Sequence, residues 1–389
     1  MKQIYLDNSA TTRICTEALD EYVRVSQEFY GNPSSLHSLG FEAEKLIDSA
    51  RGEICNSLSA KGATVIFTAS GTEANNLAIF GRAMAKKRYK NGAKIITTMG
   101  EHASVNAPVD MLEAMGFKVA RIPTVNGEID LNALQKELTG DVILVSMMMV
   151  NNETGALYDT TAVAKLVKTR CKDALIHIDA TQSYLKIPFS KATSGGDMIT
   201  ISSHKIEGPK GVGALVVDAS VMKSKGLAPI ILGGGQEGGM RSGTENVPGI
   251  SAFGRAVNIG FASLREHYRQ TLSLKNYLIE QIESKCELSE ISITKPKASA
   301  PHIVNITLPK IKSETMLHYL SSLGIYVSSG SACSSNSAHT SSALTAFGRS
   351  ASEADTSIRI SLSHRNTKED IDCLIEGLIS GLARLSRIR

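Results

Sequence analysis

The hydrophobic pattern changes its period along the chain. Residues 13–29 and 36–59 read as helices; in the second, Ala43, Leu46, Ile47, Ala50, Ile54 and Leu58 share one face. From Thr64 onward, short apolar runs of strand length, at 64–67, 94–98, 117–122, 142–149, 175–179, 197–202 and 212–217, are mostly separated by helical segments. Such alternation predicts an α/β fold with a largely parallel sheet, because parallel neighbours need a crossover and a helix usually supplies it. A long helical stretch follows at about 250–284. Beyond it the order changes: 291–294, 303–308, 325–328 and 357–362 read as strands and 313–323 and 367–387 as helices, which predicts a second, smaller α+β unit.

Bulk composition narrows the classes. A chain of 389 residues buries a full core, and a formal net charge of +4, dispersed along the sequence, does not argue for nucleic acid. The dense basic run at 86–90 ends a helical pattern and reads as a solvated terminus. The longest apolar run, 142–150, falls far short of the ~20 residues that span a bilayer, so no membrane segment is expected. The N-terminus lacks the apolar core of a signal peptide, and a cytoplasmic location is the expectation. Cys15, Cys55, Cys171, Cys286, Cys333 and Cys373 show no C-x-x-C spacing, so neither a disulfide framework nor a metal site is expected.

Candidate chemistry gathers at strand ends. Lys205 follows the predicted strand 197–202, and Gly208-Pro209-Lys210-Gly211 makes a side-chain-poor return into the next one, so the loop presents an amine; Lys205 reads as a Schiff-base lysine rather than a solvated charge. Ser70-Gly71-Thr72 opens a helix after a strand, either as an anion seat or as a simple cap. Asp179 ends an apolar strand, where a carboxylate either caps the next helix or meets a cation such as a protonated pyridine nitrogen. His102 occupies a similar strand end, from which it stacks on a planar group or serves structure alone. Asn151-Asn152-Glu153-Thr154-Gly155 has the same setting, with turn formation as the plain alternative. Arg359, between Ser357 and Ser361, suits a carboxylate or a structural ion pair. Cys333 sits among small polar residues from 328 to 337, where a thiol has nothing to pack against.

Taken together and in this order, the motifs resemble the NifS/IscS-like cysteine desulfurases, fold-type I pyridoxal-phosphate enzymes of the class V aminotransferase family. The likeness rests on Tyr5-Leu6-Asp7-Asn8, Gly31-Asn32-Pro33, Gly71-Thr72-Glu73-Ala74-Asn75, Glu101-His102, Asn151-Asn152-Glu153-Thr154-Gly155, Asp179-Ala180-Thr181-Gln182, Ser203-His204-Lys205, Arg241-Ser242-Gly243-Thr244-Glu245-Asn246, Ser329-Gly330-Ser331-Ala332-Cys333 and Arg359. It implies a large cofactor-binding α/β domain over 14–260 and a small α+β domain from 1–13 and 261–389 that carries the cysteine loop.

Carried over residue by residue, the resemblance implies that Lys205 holds pyridoxal 5'-phosphate, Asp179 pairs its ring nitrogen, Gln182 meets its ring oxygen and His102 stacks on the ring and assists proton transfer. Gly71, Thr72, Ser202 and His204 would take the phosphate, with Thr244 supplied by the partner of a homodimer. Asn152 and Arg359 would orient L-cysteine, with Asn32 a further candidate. Cys333 would take the sulfur as a persulfide, leave L-alanine behind, and pass sulfur to an acceptor protein such as an iron–sulfur scaffold or another thiolation system. The chain departs from the family at two places: Gly238 stands where the family usually has Arg, and Glu207 where it usually has an aromatic residue or His. A related pyridoxal-phosphate lyase or aminotransferase, or an inactive cofactor-binding partner protein, is the competing expectation.

Overall fold

A computed structural model of the chain describes residues 3–85, 93–329 and 341–385. The basic run at 86–90 and Cys333 lie outside the described residues. After a short strand β1 (Ile4–Tyr5) come β2 (Thr64–Thr68), β3 (Lys94–Thr98), β4 (Lys118–Ile122), β5 (Val142–Met148), β6 (Leu175–Asp179), β7 (Met198–Ser202) and β8 (Gly213–Val217). The last seven form one sheet in the order β2-β8-β7-β6-β5-β3-β4. Strands β5, β7 and β8 are buried along their whole length, as expected of apolar strands covered on both faces.

The sheet is parallel except at β8, which runs antiparallel to both β7 and β2. The cause is the lysine loop: the short stretch from Ser202 to Gly213 is a tight return, not a helical crossover, so the chain must reverse.

Helices α1 (Thr16–Glu28) and α2 (Ser38–Ser57) pack against the long helix Val247–Ser284, while α3 (Gly71–Ala85) and α4 (Ala103–Ala114) pack against each other. The contact between α2 and the long helix is close because Gly254 meets Ala50: a Cβ on Gly254 would stand 2.8 Å from the Ala50 Cβ.

A second core lies under β9 (Ser292–Thr294), β10 (Ile303–Thr307), β11 (Ile325–Tyr326), β12 (Ser328–Ser329) and β13 (Ser357–Ser361), covered by helices Ser313–Ser322 and Lys368–Leu385. Its four-stranded sheet, in the order β12-β13-β10-β9, is antiparallel throughout. The apolar stretch 325–328, expected as one strand, divides between two sheets, since β11 pairs with β1 and β12 with β13. The N-terminal segment is thereby tied to this second core: Leu6 is buried in it and Asp7 bridges Ser361.

Candidate active site

A cavity of about 390 Å³ opens at the carboxyl edge of the sheet, where β6, β7 and the start of α3 converge and β12 and β13 of the second core close the other wall. Ten of the residues expected from the sequence line it: Gly71, Thr72, His102, Asn152, Asp179, Gln182, Ser202, His204, Lys205 and Arg359.

Asp179 shapes a turn and faces the cavity, without capping a helix. Its Oδ1 accepts from Thr181 N at 2.9 Å, shaping the turn after β6, while Oδ2 accepts from Asn75 Nδ2 at 2.8 Å and the carboxylate still lines the cavity. The lysine loop is shaped by Gly208, where a Cβ would collide with Ser203, and by Gly211 at φ +80°. From this loop Lys205 Nζ donates to the carbonyls of Ser9, at 2.5 Å, and Ala10, at 2.8 Å. Gln182 Nε2 donates to that same Ser9 carbonyl at 2.9 Å, so the N-terminal segment braces two site residues at once.

The start of α3, read from sequence as an anion seat or a simple cap, opens onto the cavity. Gly71 lies against Ser202, a Cβ there standing 3.3 Å from the Ser202 Cβ, and the Ser202 hydroxyl is buried with no hydrogen-bond partner. His204 sits beside it, its Nδ1 3.1 Å from Thr11 Oγ1. Burial, together with the charges of Lys205, Lys186 and Lys210, pushes the His204 imidazole down to about 4, so it is neutral. His102 is the N-cap of α4, and burial lowers it too.

Arg359 extends from β13 with Nη1 on the Asn152 carbonyl at 3.0 Å and Nη2 on Asp7 Oδ1 at 2.8 Å, while its buried Nε has no partner. The two asparagines divide their work: Asn151 is the turn former, its Oδ1 accepting from Glu153 N and Thr154 N, and Asn152 faces the cavity.

Two expected residues stand apart. Thr244 is exposed and lines a separate depression with Arg241 and Gly243, and Asn32 is exposed with its Oδ1 accepting from Ser34 N. The two departures from the family also find places away from the cavity. Glu207, at φ 63°, lines a smaller space of about 80 Å³ behind the lysine loop, where Arg365 grips it from Nε and Nη2. Gly238 has φ +61° with open space around it, and the neighbouring Glu237 is held by Arg51 and by Phe67 N.

Sequence reasoning passed over several residues here. Glu101 is buried, accepting from Thr98 Oγ1 at 2.6 Å and from Met148 N at 3.1 Å, and burial pushes its carboxyl up to about 8. Glu153 lines the cavity, raised by burial to about 7, with Ser341 Oγ donating to it. Asp7 and Ser104 complete the polar wall, and the buried Asn75 backs it through bonds to Ser104 and Asp179. The available signal was position, since Glu101 and Glu153 sit in strand-end motifs whose neighbours had been singled out. Among the described residues, no group of three or more His, Cys, Asp or Glu is arranged to hold a metal, and no helix is long and apolar enough to cross a membrane.

An amine, a buried carboxylate and the first turn of a helix, lining one cavity at the carboxyl edge of an open α/β sheet, place the chain in the class of α/β enzymes. Comparison gives the class its family: the family described as Aminotransferase class-V matches residues 4–374, and the chain belongs to it. Full-length relatives then place the chain with the NifS/IscS-like cysteine desulfurases. It is 38% identical to Cysteine desulfurase 2 of Trichormus variabilis, over 100% of this chain and 95% of that protein. It is also 38% identical to Cysteine desulfurase IscS 1 of Archaeoglobus fulgidus, over 98% of this chain and 97% of that one. Among solved structures, one titled NifS-like protein superposes with a TM-score of 0.90 at 34% identity, covering 98% of this chain and all of that one.

Proposed function

We propose that the protein is a pyridoxal-phosphate-dependent cysteine desulfurase that converts L-cysteine to L-alanine and carries the sulfur away as a persulfide on Cys333. The observation that supports this most is the meeting of Lys205, Asp179 and the anion seat in one cavity. The residues fit the cofactor. The unpartnered Ser202 hydroxyl, the first turn of α3 and His204 provide donors for a phosphate, and Asp179, fixed by Asn75 and Thr181, offers a carboxylate to a ring nitrogen.

When bound, pyridoxal phosphate supplies an electron sink for the bond-breaking at the substrate carbon. The chain does the rest. Lys205 Nζ anchors the cofactor and moves a proton at the substrate α-carbon. Asp179 would pair the ring nitrogen and favour its protonated form, Gln182 would donate to the ring oxygen, and His102 would help hold the ring. Arg359 and Asn152 orient the substrate carboxylate. Cys333 Sγ, as thiolate, forms a bond to the sulfur of L-cysteine as that sulfur's bond to carbon breaks; the sulfur stays on the protein, and the carbon skeleton takes up protons and leaves as alanine.

Thr244, exposed and outside the cavity of its own protomer, supports a homodimer in which each copy completes the other's phosphate seat. The persulfide then goes to an acceptor protein such as an iron–sulfur scaffold, in the cytoplasm. The test is to incubate purified protein with L-cysteine and a thiol reductant, wild type beside Lys205→Ala, and to measure alanine, sulfide and cofactor absorbance. Wild type should be coloured and release both products, and the variant should do neither. A colourless, inactive wild type reconstituted with pyridoxal phosphate refutes the assignment.

A further inference from the structure

We propose that Ser104 is a positioning residue that, with Asn75, fixes His102 as the neutral tautomer carrying its proton on Nε2. The argument runs outward from Asp179. A carboxylate only accepts hydrogen bonds, so the Asn75 amide, 2.8 Å from Asp179 Oδ2, must turn its NH₂ edge to it. Asn75 Oδ1 is then buried without a partner, a cost offset by the two bonds its NH₂ group makes. The same NH₂ group lies 2.8 Å from Ser104 Oγ and donates its second hydrogen there. The single hydroxyl proton of Ser104 is then directed to the remaining neighbour, His102 Nδ1, at 2.8 Å. The Ser104 backbone N–H also points at Nδ1, at 3.1 Å. A ring nitrogen that accepts from two donors carries no proton of its own, so the proton of the neutral ring sits on Nε2.

The consequence is specific to this reaction. With Nδ1 turned into the start of α4, His102 meets the cavity as a hydrogen-bond donor at Nε2, and becoming a cation would set an N–H on Nδ1 against two other donors. The charged groups acting on the ring are Asp179, which favours the cation, and Lys205 and Arg359, which oppose it; Glu153 lines the same cavity and Glu101 precedes His102 in the chain. Burial acts in the same direction as the Ser104 bonds, toward the neutral ring. Substrate thus meets a histidine that offers it a hydrogen bond from Nε2 and has no lone pair free there to take a proton. Only this kinetic consequence rests on the desulfurase reading; the tautomer does not.

The test uses full-length protein labelled with ¹⁵N-histidine, with the His102 signals identified by their loss in His102→Gln. Wild type should show a protonated Nε2 and a bare Nδ1 at neutral pH. Ser104→Ala removes one of the two donors and should raise the His102 titration midpoint by roughly half to one pH unit, the equivalent of one net hydrogen bond. Ser104→Thr, which keeps the hydroxyl, should restore it. A wild-type ring protonated on Nδ1, or a Ser104→Ala titration that coincides with wild type, overturns the proposal. A merely structural Ser104 would lower the melting temperature without moving that titration. If Ser104→Ala does not fold, the wild-type tautomer alone decides. The nitrogen spectra report on Ser104 whether or not the protein releases sulfide from cysteine, so the two proposals fail separately.

Discussion

Replacing Arg359 separates the strut that the structure shows from the substrate contact proposed for the same guanidinium. Arg359 is buried, holds Asp7 at 2.8 Å and the Asn152 carbonyl at 3.0 Å, and keeps an unpartnered Nε in the cavity wall. If it also binds the substrate carboxylate, Arg359→Lys loses the forked geometry and with it a charge-assisted hydrogen bond of about 1.5–3 kcal/mol, which is roughly a 10- to 150-fold rise in KM for L-cysteine. Asp7→Asn provides the contrast, because it removes the ion pair and leaves the guanidinium in place. Its cost should be confined to stability, at roughly 3 kcal/mol, because the pair is largely buried and loss of the carboxylate charge leaves the guanidinium uncompensated, with KM unchanged or lower. Steady-state kinetics of alanine formation and urea denaturation of both variants give the four numbers needed. The reasoning is refuted if Arg359→Lys keeps KM within about twofold of wild type while both variants lose the same stability. That outcome would make Arg359 a strut between the N-terminal segment and the Asn152 turn.

Two further outcomes follow from buried charge. Glu101 is held near 8 in the folded protein against an ordinary value near 4.5, so the folded state keeps a proton that the unfolded chain releases. Its contribution to stability is full below about 4.5 and is lost as pH rises through about 8, and Glu101→Gln should flatten that fall in a pH series of urea midpoints; parallel curves would contradict it. Arg82 is buried and fans its guanidinium onto the carbonyls of Ile143, Gly226 and Asp173 at 2.9, 3.2 and 2.8 Å. Arg82→Met strands those acceptors and should cost roughly 3 kcal/mol or more by denaturation, whereas a loss below about 1 kcal/mol would show that water replaces the arginine.

How far the molecule is legible from its sequence depends on how local each cause is. The seven strands of the main sheet lie close to the apolar runs that predicted them, since burial on both faces writes itself directly into composition. The reversal at β8 is not a matter of period; it follows from the short return after Lys205, where Gly208 and Gly211 allow the turn. The division of 325–328 between two sheets was hidden because its partners, β1 and β13, are set by tertiary pairing.

The site shows the same limit. Lys205, Asp179 and His102 were visible because each follows a strand end with a recognisable turn. Asp7 was not assigned a part, since its partner Arg359 is 352 residues away. Glu207 reads from sequence as a carboxylate near the lysine, and in the fold it turns behind the loop to Arg365, 158 residues on. The chain from Asp179 through Asn75 and Ser104 to His102 joins three motifs that are separate in sequence, and only the packing of α3 on α4 brings them together.

The most direct test of the account follows the sulfur itself. Wild-type protein incubated with L-cysteine in the absence of reductant should yield, on mass analysis of its peptides, one extra sulfur atom on the peptide carrying Cys333, in step with the alanine released during the first turnover. Cys333→Ala should keep the cofactor absorbance and form no alanine beyond background. Undiminished alanine and sulfide from Cys333→Ala, or first-turnover alanine with no sulfur gained at Cys333, would contradict the account.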